Sequence, residues 1–309
     1  MTGFDLFVQQ TINGLTLGAM YSLLALGFTM VYGILELINF AHFSVFMVGT
    51  FVAMGALQSM GIMGQSVILT GLPLVGVLLV ALAATMTVCG CIGMGIERFF
   101  LRRLRSVKGP AQMITTIGIS YILSNSVLLF IGGQGFNFPN PIPMLKYHIG
   151  GAVMDVRQPL IWAISAVLMI GLTYFVQSTK LGKAMRATAQ DPEAARMMGV
   201  DVDRVVLTAF FLGSAMAGAA AVVFGLYYNY TNFYIGFDAG LRAFTAAVLG
   251  GIGNVPGAML GGLLIGIIET MTSQFISTNW AEVVIFSILI LVLVLRPAGL
   301  LGRVAPNKS

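Results

Sequence analysis

Side chains that could take part in chemistry are few in this chain of 309 residues, of which 58% are hydrophobic and 9% are charged. Glu269 lies inside one apolar run, and Glu36, Asn39, His42 and Ser44 interrupt another. Ionisable groups inside such runs are costly in a membrane unless they face a protein interior or a water-filled path, where they act as substrate contacts or proton relays. They therefore predict either a transport path or interhelical hydrogen bonds, and the residue types alone leave both roles open.

The sequence does not indicate an enzyme. The two histidines, His42 and His148, are far apart, and no carboxylate stands at metal-ligand spacing from either. Cys89 and Cys91 lie two residues apart in one apolar run, so on a helix they point to different faces and form neither a disulfide nor a metal pair. The chain lacks a G-x-x-x-x-G-K-[ST] sequence for ATP, and "GGIGNVPG" lacks the strand and glycine spacing of a dinucleotide loop. We expect no enzyme activity, and no metal or cofactor bound by this chain.

The elements that position these residues are predicted to be membrane-spanning helices. Mean hydropathy is +0.93, and repeated apolar runs of about 20 residues are long enough to cross a hydrocarbon layer about 30 Å thick. The interrupted apolar segment 241–273 is predicted to be a re-entrant or broken-helix pair, with two tilted full spans as the alternative. The fold class is therefore an all-α polytopic membrane protein with about eight transmembrane helices, in a single domain over residues 1–309. The other predicted helices lie near residues 12–32, 40–57, 67–95, 111–131, 158–177, 205–228 and 281–296.

Basic residues cluster in three places and indicate the orientation of the chain. The positive-inside rule places these clusters on the cytoplasmic side, which leaves the loop 132–157 and the N-terminus on the periplasmic side. No basic residue precedes the first apolar run, so we expect that run to be retained as a helix rather than cleaved as a signal peptide. The basic pI near 9.4 then reflects topology and contacts with the lipid bilayer, not nucleic acid binding. The clusters contain Arg98, Arg102, Arg103, Arg105 and Lys108; Lys180, Lys183, Arg186, Arg196 and Arg204; and Arg296, Arg303 and Lys308.

Two breaks in the apolar pattern, at 35–44 and 249–262, predict where a solute could pass. Broken helices are tolerated in lipid only where protein or a water-filled cavity covers the backbone, and paired breaks in a transporter indicate the translocation path. Close helix packing through small residues is the other interpretation of the glycines, in particular of the pairs Gly14 with Gly18 and Gly253 with Gly257. The candidate path residues are Glu36, Asn39, His42, Phe43, Ser44, Gly251, Gly253, Asn254 and Glu269.

The loop 178–204 holds nine charged residues, a third of the 16 basic and 11 acidic residues of the chain. Asp191 is a typical N-cap, Pro192 suits the first helical position, and Glu193 favours the positive end of the helix dipole. Gly199 suits the end of a short helix, and Ala194, Ala195 and Met198 form a small apolar face. Such a helix could dock in a groove of another protein or lie on lipid headgroups.

Several motifs in this order resemble a known family. "INGLTLGAMYSLLALGFTMVYGILELINFAH", "KLGKAMRATAQDPEAARMMGV", "RAFTAAVLGGIGNVPGAMLGGLLIGIIE" and "LVLVLRPAGLLG" resemble the Liv-type permeases for branched-chain amino acids, and "EAARMMG" resembles the coupling segment of ABC importer permeases. The resemblance covers nearly the whole chain. It implies that residues 191–199 form a coupling helix that is gripped by a cytoplasmic ATPase.

The same resemblance implies the remaining partners. These are a second, different permease subunit, cytoplasmic ATP-binding subunits that carry ATP and Mg²⁺, and a periplasmic solute-binding protein. The chain is then an ABC importer permease of the bacterial inner membrane. ATP hydrolysis would occur on the separate ATPase subunits.

One departure from the family pattern concerns the first break. Members commonly have a glycine after "NFAH", where this chain has Phe43, and Glu36 adds a carboxylate just before the break. Relatives carry urea, amides or aromatic acids as well as amino acids, so these solutes remain alternative substrates. An ion-gradient-driven secondary transporter is the alternative from another class, and it would need several ionisable residues within the membrane.

Overall fold

The computed structural model describes residues 3–64, 67–105, 107 and 110–302. Lys108, Arg303 and Lys308, which contribute to the predicted basic clusters, lie outside the described residues. Within the described part of the chain, eight helices are long and apolar enough to cross a membrane. The predicted polytopic helical fold is therefore confirmed.

The helices are more numerous than the hydropathy pattern predicts, and several of their boundaries differ from the predicted ones. The first begins at residue 3 rather than near 12, the third begins after Gly71 rather than near 67, and the loop 178–204 contains two helices of its own. The helices are α1 (Gly3–Leu35), α2 (Ala41–Ser59), α3 (Leu72–Ile96), a π-helical turn (Glu97–Leu101), α4 (Arg102–Leu104), α5 (Ala111–Phe130), α6 (Arg157–Ser178), α7 (Lys180–Gln190), α8 (Pro192–Met197), α9 (Val202–Tyr228), α10 (Ile235–Gly250), α11 (Val255–Phe275) and α12 (Thr278–Leu295).

Four short strands lie at one end of the bundle. They are β1 (Phe136–Asn137), β2 (Lys146–Ile149), β3 (Ala152–Asp155) and β4 (Tyr230–Thr231), with β1 antiparallel to β4 and β2 antiparallel to β3. The β3 strand is joined to the start of α1, because the Val153 amide donates to Gln9 Oε1 at 2.7 Å. We call this the hairpin end, and the opposite end, which holds residues 97–105 and 180–204, the coupling end.

The contact between α1 and α11 lies at the centre of the bundle. Gly14 and Gly18 on α1 face Gly262 and Gly266 on α11, and a Cβ at Gly18 would lie 2.7 Å from the Leu263 Cα. Small residues four apart allow two helix backbones to approach this closely. The packing interpretation of Gly14 and Gly18 is confirmed, whereas Gly253 lies in a turn outside any helix.

A second close contact joins α3 to α9. A Cβ at Gly93 would lie 2.8 Å from the Phe210 carbonyl oxygen, and one at Gly218 would lie 2.9 Å from the Thr85 carbonyl oxygen. Cys89 is buried in this contact and Cys91 is exposed, which confirms that the two thiols occupy different faces. The two helices therefore pack as a pair along much of their length.

The interrupted segment 241–273 consists of α10, a turn at residues 251–254, and α11. At 1.5 Å per residue the 16 residues of α10 extend only about 24 Å, less than the ~30 Å of a hydrocarbon layer. Even so, α10 begins next to β4 and ends at the coupling end, where the Leu301 amide donates to the Gly250 carbonyl oxygen at 3.0 Å. The pair thus runs from the hairpin end to the coupling end and back, and the break is shorter than the predicted 249–262 because Gly257, Gly261 and Gly262 lie inside α11.

Candidate functional site

The short helix α8 projects from the coupling end with both ends capped. Asp191 Oδ1 accepts hydrogen bonds from the Glu193 and Ala194 amides at 2.9 and 3.0 Å. Gly199 has φ +83°, a left-handed conformation that suits glycine after a helix. The Val200 amide donates to the Ala195 carbonyl oxygen at 3.0 Å and closes the last turn. The predicted capping by Asp191, Pro192 and Gly199 is confirmed.

The apolar face that α8 presents differs from the predicted one. Ala195 is only 5% exposed and packs against the protein core, so it is not available to a partner. Met197 and Met198 are 87% and 84% exposed. Ala194 and Met198 are exposed as predicted, whereas Ala195 is buried. Six residues make fewer than two turns, so one side of α8 packs on its own chain.

A cleft of about 790 Å³ lies beside α8 at the coupling end. Its apolar wall comes from the end of α1 and the residues that follow, and its polar wall combines α8 with the segment 101–105. The charged residues on it are Arg102, Arg105, Asp191, Glu193, Arg196 and Asp203. The charged loop and the basic cluster that follows α3 both line this cleft, so they lie at the same end of the bundle, as the predicted topology requires.

The break at 35–44 ends α1 and starts α2. Glu36 has φ +52°, and its amide donates to the Tyr32 carbonyl oxygen at 2.8 Å. A non-glycine residue in the left-handed region is uncommon, and at this position it terminates the helix as a glycine would. The Glu36 residue is exposed at the coupling end. Its role in the break is thus a backbone role.

The other polar residues of the break, Asn39, His42 and Ser44, are buried in helix contacts. His42 Nε2 lies 3.2 Å from the Leu24 carbonyl oxygen, so this nitrogen carries the proton and donates it to α1. Ser44 Oγ lies 2.6 Å from Ser120 Oγ on α5. His42 thus bonds a backbone carbonyl as the packing interpretation expects, although this carbonyl lies inside α1 and not at the break. Ser44 bonds between helices, and the path role of these side chains stays a prediction.

Phe43 fills a contact between α2 and α10. Its side chain is 2% exposed, its ring stacks on that of Phe28 with centroids 5.9 Å apart, and Gly240 on α10 leaves the space that the ring occupies. The packing matches the alternative in which Phe43 fills a helix contact, because its ring occupies the space that Gly240 leaves on the facing helix. Its role as a path residue stays a prediction.

The second break is also structural in large part. Asn254 caps α11, because its Oδ1 accepts from the Gly257 amide at 3.2 Å, and its side-chain amide donates to the Leu301 carbonyl oxygen. Gly251 and Gly253 have φ +105° and +88°. Gly253 approaches Gly33 on α1 and lines a cavity of about 80 Å³. The two breaks therefore meet at the coupling end, beside the end of α1.

Glu269 is paired with an arginine that the sequence interpretation missed. Arg242 Nε lies 3.4 Å from Glu269 Oε1, and Arg242 Nη2 lies 2.8 Å from Glu282 Oε1, which joins α10, α11 and α12. Glu269 is 13% exposed and lines a cavity of about 330 Å³ near the hairpin end. The available signal was an arginine within an apolar segment, since such charges usually pair with one another.

A neighbouring cavity of about 370 Å³ at the hairpin end lies between the start of α1 and the residues that precede α6. Asp155 and Arg157 form an ion pair there, with Arg157 Nη2 2.6 Å from Asp155 Oδ2. Partial burial raises the pKa of Asp155, but the hydrogen bonds and positive charge of Arg157 outweigh this effect and hold the pKa below its ordinary value. The hairpin end thus presents polar cavities with charges of both signs.

The packing of Phe43 leads to a stability prediction. Phe43→Ala should lower the free energy of unfolding by about 3–5 kcal/mol, because it leaves a cavity between α2 and α10. Thermal unfolding in detergent measures the change. Phe130→Ala is the control, since Phe130 is exposed at the end of α5. Equal unfolding midpoints for the two variants would contradict the burial of Phe43.

The pairing of Arg242 with Glu269 leads to a second stability prediction. Arg242→Gln should destabilise the protein by about 3–5 kcal/mol, because it leaves Glu269 as a buried, uncompensated charge. Adding Glu269→Gln should recover most of the loss in thermal unfolding. Arg204→Gln is the control, since Arg204 is largely exposed and pairs at the surface with Asp201. A double variant no more stable than Arg242→Gln alone would refute the pairing.

Comparison with known proteins agrees with this architecture. Residues 10–293 match the family model described as branched-chain amino acid transport system / permease component. The chain is 41% identical to the high-affinity branched-chain amino acid transport system permease protein LivH of Salmonella typhimurium, over 99% of this chain and 98% of the relative. It is also 41% identical to the permease protein BraD of Pseudomonas aeruginosa, over 98% of each.

A more distant relative extends the similarity to an archaeon. The probable branched-chain amino acid transport permease protein LivH of Methanocaldococcus jannaschii is 28% identical over 91% of this chain and 88% of the relative. No solved structure matches the chain. Since the family model and the relatives both cover more than nine tenths of the chain, the chain belongs to the family of permease components of branched-chain amino acid ABC transport systems.

Proposed function

We propose that this chain is the permease subunit of an ATP-driven importer for branched-chain amino acids. The observation that carries the proposal is α8, a capped helix that exposes two methionines at the coupling end. Flexible, polarisable methionine side chains are common in protein-binding surfaces. Docking of α8 in a groove of a cytoplasmic ATPase would let ATP binding move the permease. ATP and Mg²⁺ would reside on that ATPase.

The substrate part of the proposal rests on the similar permeases. LivH and BraD are named for the transport of branched-chain amino acids and match this chain over nearly its whole length. The departure at Phe43 left urea, amides and aromatic acids open as alternative solutes. Because the Phe43 ring packs between α2 and α10, that departure concerns helix packing and does not argue for a different solute.

The partners and orientation follow from the two ends of the bundle. We infer that the coupling end faces the cytoplasm, since basic residues concentrate there. The hairpin end, with its polar cavities, then faces a periplasmic solute-binding protein, and the permease pairs in the inner membrane with a second, different permease subunit. Movement of α8 would shift the permease between states that open to either side.

An ion-gradient-driven secondary transporter is less consistent with the geometry. Such a transporter needs carboxylates that gain and lose a proton or bind a cation during transport. Glu269 is paired with Arg242 instead, and Glu36 is exposed at the coupling end beside a helix terminus. Neither residue is placed as a relay across the bundle.

The test is uptake of leucine into proteoliposomes that contain this chain, its second permease subunit, the ATPases and the solute-binding protein. We expect uptake to require ATP and to persist with an uncoupler. Met197→Glu should abolish ATPase pull-down and uptake while membrane yield is unchanged, because it places a charge on the proposed docking face.

Met144→Glu is the matched control, since Met144 is also exposed but lies at the hairpin end. It should leave ATPase pull-down unchanged. Uptake that survives without ATP and collapses with the uncoupler would favour the secondary transporter. Full pull-down by the Met197→Glu variant would remove α8 from the docking surface.

The proposed orientation predicts a pattern of thiol labelling. Single cysteines at Lys183 and Met144, in a chain with Cys89→Ala and Cys91→Ala, place reporters at exposed positions of the two ends. An impermeant thiol reagent applied to intact cells should label position 144 and not 183. Both positions should react after the cells are permeabilised, and labelling of 183 alone in intact cells would reverse the orientation.

A further inference from the structure

A set of ion pairs joins the end of α3 to the start of α9. Arg105 Nη1 donates to Asp203 Oδ1 at 2.7 Å, and Arg105 Nη2 donates to Glu97 Oε1. Arg102 Nε lies 3.4 Å from the same Glu97 oxygen. Glu97 begins the π-helical turn after α3, and Asp203 lies in the first turn of α9. Arg105 thus bridges two carboxylates on two different elements.

Glu97 depends on this bridge for compensation of its charge. Its side chain is 0% exposed, and its second oxygen, Oε2, has no hydrogen-bond partner among the described residues. A buried carboxylate is stable only when a cation or donors replace its hydration. The Arg105 guanidinium, with Arg102 nearby, provides that replacement. Glu97, at the end of α3, therefore fixes the position of the Arg105 side chain.

The π-helical turn makes this arrangement possible. The Arg102 amide donates to the Glu97 carbonyl oxygen five residues earlier, which inserts one extra residue into the turn. Side chains that follow such a turn are rotated relative to a continuous α-helix, and π-helical turns often occur at functional sites. Glu97 and Arg105 thereby meet on the side that faces α9.

Asp203 lies close in the chain to the proposed docking helix. Four residues separate α8 from α9. Two hydrogen bonds fix this connection: the Val200 amide donates to the Ala195 carbonyl oxygen, and the Arg204 amide donates to Asp201 Oδ1, which caps α9. The cleft of about 790 Å³ separates α8 from the segment 101–105. The segment 101–105 therefore contacts the connection between α8 and α9, which we call the α8–α9 corner, through Asp203, which lies against both Arg105 and Arg102.

We propose that Glu97, Arg105 and Asp203 form a strut that transmits displacement of α8 to the α3–α9 pair. The three are positioning residues, and the inference rests on the proposed function of α8. With the strut intact, a pull on α8 moves α9 and α3 together. Without it, the first turn of α9 can move away from the π-helical turn even though α3 and α9 stay packed farther along, so the displacement of α8 is lost at the α8–α9 corner and ATP is hydrolysed without transport.

The experiment compares variants in proteoliposomes that contain the complete transporter. It measures ATP hydrolysis, leucine uptake and their ratio. Asp203→Asn, at a half-exposed position, and Arg105→Met should both bind the ATPase normally. Each should lower leucine transported per ATP by roughly two- to fivefold, the effect expected when a half-exposed ion pair is lost while Arg102 Nη1 remains 3.9 Å from Asp203 Oδ2. Asp203→Glu keeps the charge and should retain most of the wild-type ratio.

Arg98→Met is the matched control for Arg105→Met, because Arg98 is exposed in the same π-helical turn. It should keep the wild-type ratio. If Asp203→Asn and Arg105→Met keep that ratio, or lose hydrolysis and uptake in equal proportion, the strut is refuted. Failure of wild-type protein to show any ATP-dependent uptake would instead refute the proposed function, so the two failures are distinguishable. If Arg105→Met does not fold, the surface variant Asp203→Asn decides the question alone.

Discussion

The close contact of α1 with α11 is the constraint on which the rest of the bundle depends. In lipid, apolar side chains gain little by leaving one hydrocarbon surface for another, so helices associate through van der Waals packing and hydrogen bonds. Four glycines, Gly14, Gly18, Gly262 and Gly266, let the two backbones touch. The α1 helix is then surrounded by α9, α10 and α11 and is buried from about its first third to its end. The other helices are arranged around this pair.

Charges are placed where the packing of the bundle compensates them. At the hairpin side, Arg242 links three helices through Glu269 and Glu282. At the coupling end, Arg105 links α3 and α9 through Glu97 and Asp203. Both arginines hold two carboxylates at once, which suits the planar guanidinium with its several donors. The first network ties together the short helix α10 with α11 and α12, and the second lies next to the helix that we propose to bind an ATPase.

Prediction from the sequence was accurate wherever local chemistry decides the structure. The capping of α8 by Asp191 and Gly199 needs only residues within the loop, and the spanning helices need only long apolar runs. It was inaccurate for side chains whose role depends on a distant partner. Phe43 was named a candidate path residue because it lies in a break of the apolar pattern, and the sequence does not show that Gly240, almost 200 residues later, leaves the space that its ring occupies. Ala195 was assigned to a docking face because it is small and apolar, but it packs on its own core.

The sequence by itself determined the membrane-spanning helical fold, the capped helix in the charged loop and the family resemblance, because hydropathy and capping act over a few turns of chain. Only the tertiary structure decided which charges are paired and which polar residues of the breaks are buried. Arg242 with Glu269, and Arg105 with Asp203, are separated by 27 and 98 positions in the chain. No local periodicity encodes such pairs, because they arise from which helix faces come together when the bundle packs.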